Sequence, residues 1–242
     1  MRARSPVRRR FDLEEESVKQ VRALSLFGAF IAAAAVALWP CAALRAANSA
    51  PAITAFDQVF ASTNDYTCVL HVHEAKGADT QDRVYQYSFM KPHFAKTLIL
   101  DGDGKGSGGV WAGGDQISGH QGGILSGFHR KVDVNDPRAV SLRGVTIPEG
   151  LLQKIVSNYA TIPGKLTQTD GGKIGGVATD RLDLKLTDPN ANNGITEQIL
   201  YLSKDSHWPV RQIMYAGSQI VLDETVNDLK TNTGLTQADF PF

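Results

Sequence analysis

Cysteine is almost absent. Cys41 and Cys68 are the two in 242 residues, and removal of a leader ending beyond Cys41 would leave one thiol, unable to form an internal disulfide. An excess of one charge sign is also missing. The 25 Lys plus Arg match 25 Asp plus Glu, which argues against a general nucleic-acid binder. There is no apolar run of membrane-spanning length. Residues 23–38 form the main uncharged, apolar stretch, and it meets Pro40 and Arg45 before reaching the ~20 residues a spanning helix needs. With 42% hydrophobic and 21% charged residues, the composition is neither that of a disordered chain nor of a polytopic membrane protein. A globular body is expected.

The zero charge hides two unlike parts. Residues 1–47 hold 8 basic and 4 acidic residues, net +4, while the remainder is net −4. Lys19 and Arg22 precede the apolar run, and Pro40 and small residues follow it, the layout of a secretory signal. Cleavage is expected near 46–50, with Ala47-Asn48-Ser49 offering small residues; an uncleaved inner-membrane anchor is the alternative. Arg8-Arg9-Arg10-Phe11 is a poor twin-arginine signal, because Glu14, Glu15 and Glu16 separate it from the apolar run. Val18 or Val21 would serve as a start for a shorter basic head. Trp39 and Pro40 make Cys41 unsuitable for acylation. The expected organisation is a signal over 1–47 and a single domain over 48–242, exported to the periplasm or beyond.

A body of this length buries enough surface to be stable without disulfides or metals. Ile53, Phe56, Val59 and Phe60 recur at helical spacing after Pro51. Strand-like runs follow at 66–73, 83–90, 94–100, 109–111 and 116–120, separated by Gly, Asp, Asn and Lys clusters. A second helix is expected over 147–159, opened by Pro148 and striped with Leu151, Leu152, Ile155, Val156 and Tyr159. Further strands are expected at 165–169, 179–187, 195–203, 209–215 and 219–229. Cys68 shares one face with Tyr66, Leu70 and Val72, so it reads as a small buried hydrophobe. About ten antiparallel strands curl strongly, and two apolar helices would cover the concave face. The fold class is α+β, mainly antiparallel β: a curved open sheet, or unclosed β-barrel, with helices over its concavity.

Several segments resemble the LolA/LolB superfamily of envelope lipoprotein carriers, especially its exported relatives. They are Asp65-Tyr66-Thr67-Cys68, Tyr87-Ser88-Phe89-Met90-Lys91-Pro92, Tyr201-Leu202-Ser203-Lys204 leading to Trp208-Pro209-Val210-Arg211, and 225–232 before Asp239-Phe240. The resemblance covers most of the body and implies a non-enzymatic carrier holding lipid, an acyl chain or an acylated protein in an apolar groove under a helical lid. It also implies a lid latch at Lys91, where the carrier has Arg, with Leu151 and Ile155 as lid contacts. Candidate groove liners, one face per strand, are Leu70, Val72, Tyr87, Phe89, Leu98, Leu100, Trp111, Ile199, Tyr201, Ile213 and Tyr215. A monomer that meets inner- or outer-membrane envelope proteins would fit such a role.

Signals for chemistry are mostly negative. The segment 101–106 begins like a calcium loop, but Lys105 stands at a ligand position and Ala112 replaces the final Glu. Gly104-Lys105-Gly106-Ser107-Gly108-Gly109 satisfies a dinucleotide pattern without a following helix; the Gly-rich region 102–127 reads as flexible hairpins or a mobile loop. His71 and His73 project together from one strand face, yet no spacing selects a third ligand from His93, His120 or His129. No nucleophile-elbow pattern frames Ser118 or Ser126, with Asp115, His120 and His129 nearby. No cofactor and no metal are expected. An exported hydrolase or metal-dependent enzyme on this His/Gly-rich surface is the alternative function, and a sensor domain of the same fold is a third.

Overall fold

The computed structural model describes residues 49–241. The apolar run, Cys41 and all but the last two residues of the expected cleavage region lie outside the described residues. Helix α1 (Pro51–Ala61) leads into β1 (Asp65–Lys76), β2 (Asp79–Met90), β3 (Phe94–Gly102), β4 (Gly108–Trp111), β5 (Gln116–His120) and β6 (Arg130–Asp133). An irregular stretch, 134–151, then reaches α2 (Leu152–Thr161). Strands β7 (Gly164–Ile174), β8 (Val177–Leu186), β9 (Glu197–Ser203), β10 (Pro209–Ala216) and β11 (Gln219–Thr231) complete the order.

All eleven strands join one antiparallel sheet in the order β6-β5-β4-β3-β2-β1-β11-β10-β9-β8-β7. Two meanders are thus stitched together by the first and last strands, with Leu70 opposite Val226 and Glu74 opposite Leu222. β6 and β7 are the free edges, so the sheet does not close. This is the unclosed, helix-covered sheet that the resemblance implied.

Alternation along the strands gives the sheet an inner face that buries Cys68, Leu70, Tyr87, Phe89, Leu182, Leu184, Leu200 and Leu202 against Phe56 of α1 and Leu152, Ile155, Val156 and Tyr159 of α2. At its centre, Phe56, Phe60 and Tyr66 gather around Trp208, and Phe89 packs on Phe60 and Tyr66, with ring centroids 5.2–6.2 Å apart. Each such pair contributes ~0.5–1.5 kcal/mol beyond its buried area. Cys68 is buried here, and burial holds its thiol well above the ordinary range.

Beyond strand ends that run further than expected, as in β1, β2 and β7, expected and observed elements differ in two places. First, α2 starts at Leu152 rather than Ile147, because Thr146-Ile147-Pro148-Glu149 closes its own turn, in which Glu149 accepts from the Thr146 N–H and hydroxyl at 2.9 Å. The helix has no local side-chain cap. Instead Tyr66 on β1 accepts from the Leu152 N–H at 3.0 Å and donates to Gln153 at 3.1 Å, a cap delivered from 86 residues away. Second, the short strand β6 was not expected. The Gly-rich region forms hairpins, β3 with β4 and β4 with β5, one of the two forms expected for it, and at Gly102 (φ +87°) a Cβ would lie 2.0 Å from the Asp82 carbonyl oxygen, so only glycine fits.

Tyr66→Phe leaves the Leu152 N–H buried without an acceptor. The expected loss is ~1–3 kcal/mol of unfolding free energy, read by urea titration against wild type.

Candidate functional site

The two helices and the side chains beneath them fill one part of the concavity. Over the remainder, between the inner faces of β1–β6 and β11 and the 137–147 stretch, lies a cavity of about 930 Å³. Its walls include Leu70, Val72, Tyr85, Tyr87, Ile99, Ile117, Val132 and Leu222. Leu142, Val145 and Ile147 face it from the covering segment.

That cover is irregular chain, yet it is pinned. Glu74 on β1 accepts from the Ser141 hydroxyl at 2.7 Å and the Arg143 N–H at 3.2 Å. Gln81 on β2 accepts from the Leu142 N–H at 3.1 Å, and the Tyr87 hydroxyl donates to the Ile147 carbonyl. The Arg143 guanidinium donates to the Ala75 carbonyl at 2.8 Å and the Asn193 carbonyl at 3.1 Å. A segment without regular structure must satisfy its backbone through such partners, and here the inner face supplies them.

Two carboxyls sit in the wall: Glu74, 2% exposed, and Glu224, 7% exposed. Burial, reinforced by the nearby negative charge of Glu74, pushes the Glu224 carboxyl up to about 7. Tyr66 and Tyr87 are likewise raised by burial.

Of the residues expected to line a groove, Leu70, Val72 and Tyr87 lie in the cavity wall. Phe89 is on the same face within the aromatic core, and Trp111 packs beside that core. Six others belong to the opposite face. Leu98 and Leu100 flank the inward Ile99, and Leu100 is 38% exposed. Ile199 and Tyr201 alternate with inward Leu200 and Leu202, and Ile213 and Tyr215 with inward Gln212 and Met214. Ile199 pairs with Ile213 on that outer face, flanked by the Arg181–Asp183 pair (3.0 Å) and the Arg211–Asp223 pair (2.5 Å).

The expected lid contacts also separate. Lys91 donates to the Phe60 and Ala61 carbonyls at 2.6 and 3.1 Å, with its ammonium 4.4 Å from the Phe60 ring centroid. It therefore fastens the C-terminal end of α1, where a cation suits the helix dipole. Leu151 and Ile155 are buried in the core under α2. The cavity cover is the stretch before that helix.

His71 and His73 face outward, and His73 Nδ1 lies 2.8 Å from Asp82. Among the described residues no group of three or more His, Cys, Asp or Glu is placed to hold a metal. The start of the calcium-like segment is instead tied by a Lys105–Asp101 pair at 3.0 Å. The ring of His120, which lines the cavity, lies 5.1 Å from that of His129.

No protein-family model matches this chain, and no curated protein matches it by sequence. Among solved structures it is similar to an uncharacterized conserved protein from Thermus thermophilus, with 10% identity, 78% of this chain and 90% of that one covered, and a TM-score of 0.51. It is also similar to lipoprotein LppX of Mycobacterium tuberculosis (16% identity, 76% and 95% covered, TM-score 0.45). A LolA superfamily protein from Nitrosomonas europaea matches at 10% identity, 79% and 96% covered, TM-score 0.36. The Thermus overlay shows a shared fold.

Glu224 makes stability pH-dependent. The folded state holds this proton more tightly than the unfolded chain, whose carboxyl titrates near 4.5, so the group's contribution is greatest below pH 4.5 and falls as pH rises to about 7. The fall is about 3 kcal/mol. Glu224→Gln should flatten this slope and stabilise the protein at pH 8, as measured by denaturant titration across pH.

Proposed function

We propose that this protein is a non-enzymatic, exported carrier or binding protein that shelters a lipid, an acyl chain or an acylated protein in the cavity beneath residues 137–147. The observation that carries this reading is the cavity itself, about 930 Å³, in which aliphatic and aromatic side chains from β1, β2, β3, β5, β6, β11 and the cover alternate with polar, charged and glycine positions. Small-molecule sites typically span ~300–1,000 Å³ and are mostly apolar with a few placed polar groups. Leaving a membrane exposes an acyl chain at ~0.8 kcal/mol per CH₂. The apolar part of a walled space offsets that cost, and the unclosed sheet leaves a route in.

The carrier acts after the 1–47 leader is removed, as a monomer in the envelope, where it exchanges its guest with membrane-associated partners. The enzyme alternative has less to support it. Neither Ser118 nor Ser126 hydrogen-bonds a histidine or a carboxylate among the described residues.

Protein purified without detergent should show added lipid masses by native mass spectrometry. Val72→Trp, which places a bulky ring in the cavity, should lower that occupancy several-fold while leaving the far-UV circular dichroism unchanged. Bare wild-type protein that also fails to take up added lipid would overturn the proposal.

A further inference from the structure

One carboxyl in the cavity wall has no partner. Glu224 is 7% exposed, borders the cavity, and makes no hydrogen bond or ion pair among the described residues. Its surroundings explain why this is costly. Val72 stands opposite it on β1, and Glu74 is two residues further along the same face. The titratable groups packed around it are Tyr66, Cys68 and Glu74 of β1, Tyr85 and Tyr87 of β2, and Tyr159 of α2.

Arg83, Lys105, Arg130 and Arg138 also border the cavity, and none of them pairs with Glu224: Lys105 is held by Asp101 and Arg138 by Asp136. Arg83 donates to the Asp103 carbonyl at 2.8 Å and the Tyr85 hydroxyl at 3.1 Å. Arg143 spends its guanidinium on the Ala75 and Asn193 carbonyls. No ion pair among the described residues involves Glu74 or Glu224. The Glu74 carboxyl already has donors from the cover, so of the two carboxyls in the wall Glu224 is the one left without a donor.

We propose that the guest is an amphiphile carrying a protonated amine, whose ammonium binds the Glu224 carboxylate beside Glu74 while its hydrocarbon fills the apolar remainder of the cavity. This rests on the reading of the cavity as a ligand site. An ammonium supplies three donors and no acceptor. Its bond to a carboxylate is charge-assisted and gains strength in a low-dielectric space. At this place in the wall a carboxylate or phosphate head would set a third negative group beside Glu74 and Glu224. A hydroxyl head would satisfy hydrogen bonding but not charge. The step conserves protons: the carboxyl gives its proton to solvent, the ammonium keeps all of its own, and an ion pair replaces the neutral acid.

The test is isothermal titration calorimetry of the full chain with dodecylamine, 1-dodecanol and dodecanoate, at pH 6 and in buffers of different ionisation enthalpy. Dodecylamine should bind roughly tenfold or more tighter than dodecanol, and dodecanoate most weakly. Amine binding should release roughly one proton and alcohol binding none. In Glu224→Gln the amine preference should fall to near parity with dodecanol affinity retained. Equal amine and alcohol affinity in wild type, or a preference that survives in Glu224→Gln, overturns the amine assignment and leaves the carrier reading standing. Amine binding without proton release overturns the assignment even if the variant does not fold. If none of the three binds, both readings fall.

Discussion

The pairing of β1 with β11 is the constraint on which the rest depends. It joins two meanders that are each contiguous in sequence but meet only when the chain ends come together. The join also sets which side chains converge at the centre. Leu70, Val72 and Glu74 from one strand meet Leu222, Glu224 and Val226 from the other on a single face. Asp65, buried at the start of β1, locks the ladder's end by accepting from the Thr233 N–H and hydroxyl at 2.6 Å and the Gly234 N–H at 3.2 Å. A one-residue slip there would turn the glutamates outward and the histidines inward.

From that join, the concave face divides. Regular helices lie where side chains interlock around Trp208, while an irregular segment lies where they do not. A helix presents a ridge that packs into a curved sheet and fills it. The 137–147 stretch instead bridges the sheet on hydrogen bonds to Glu74, Gln81 and Tyr87, holding its aliphatic groups at a distance from the opposite wall. Filled core and hollow thus follow from the kind of chain that covers each part.

Much of the architecture was legible in the sequence, because period-two and period-3.6 patterns report burial directly. Alternation in β1 and β2 placed Leu70, Val72 and Tyr87 on the inner face. It failed in β3, where Leu98, Ile99 and Leu100 form an unbroken apolar run and a bulge between Val84 and Tyr85 shifts the register. It failed again in β9 and β10, where both faces are apolar because Ile199 and Ile213 pair on the outside. The glutamates escaped notice for a related reason: charge on a strand reads as solvent-facing, and only long-range pairing buries these two. The start of α2 depends on a tyrosine hydroxyl distant in sequence, which no local signal could reveal.

An open sheet with two unpaired borders carries a hazard that a closed barrel avoids, since each border offers hydrogen-bonding groups to any extended chain. β6 is four residues long, with Arg130, Lys131 and Asp133 exposed, and β7 presents Lys165, Asp170 and Lys173 to solvent. Another molecule docking edge-on would bring a strand against short, charged or glycine-interrupted backbone at both places. The gap in the wall can therefore persist in a crowded compartment without the molecules stacking into fibres.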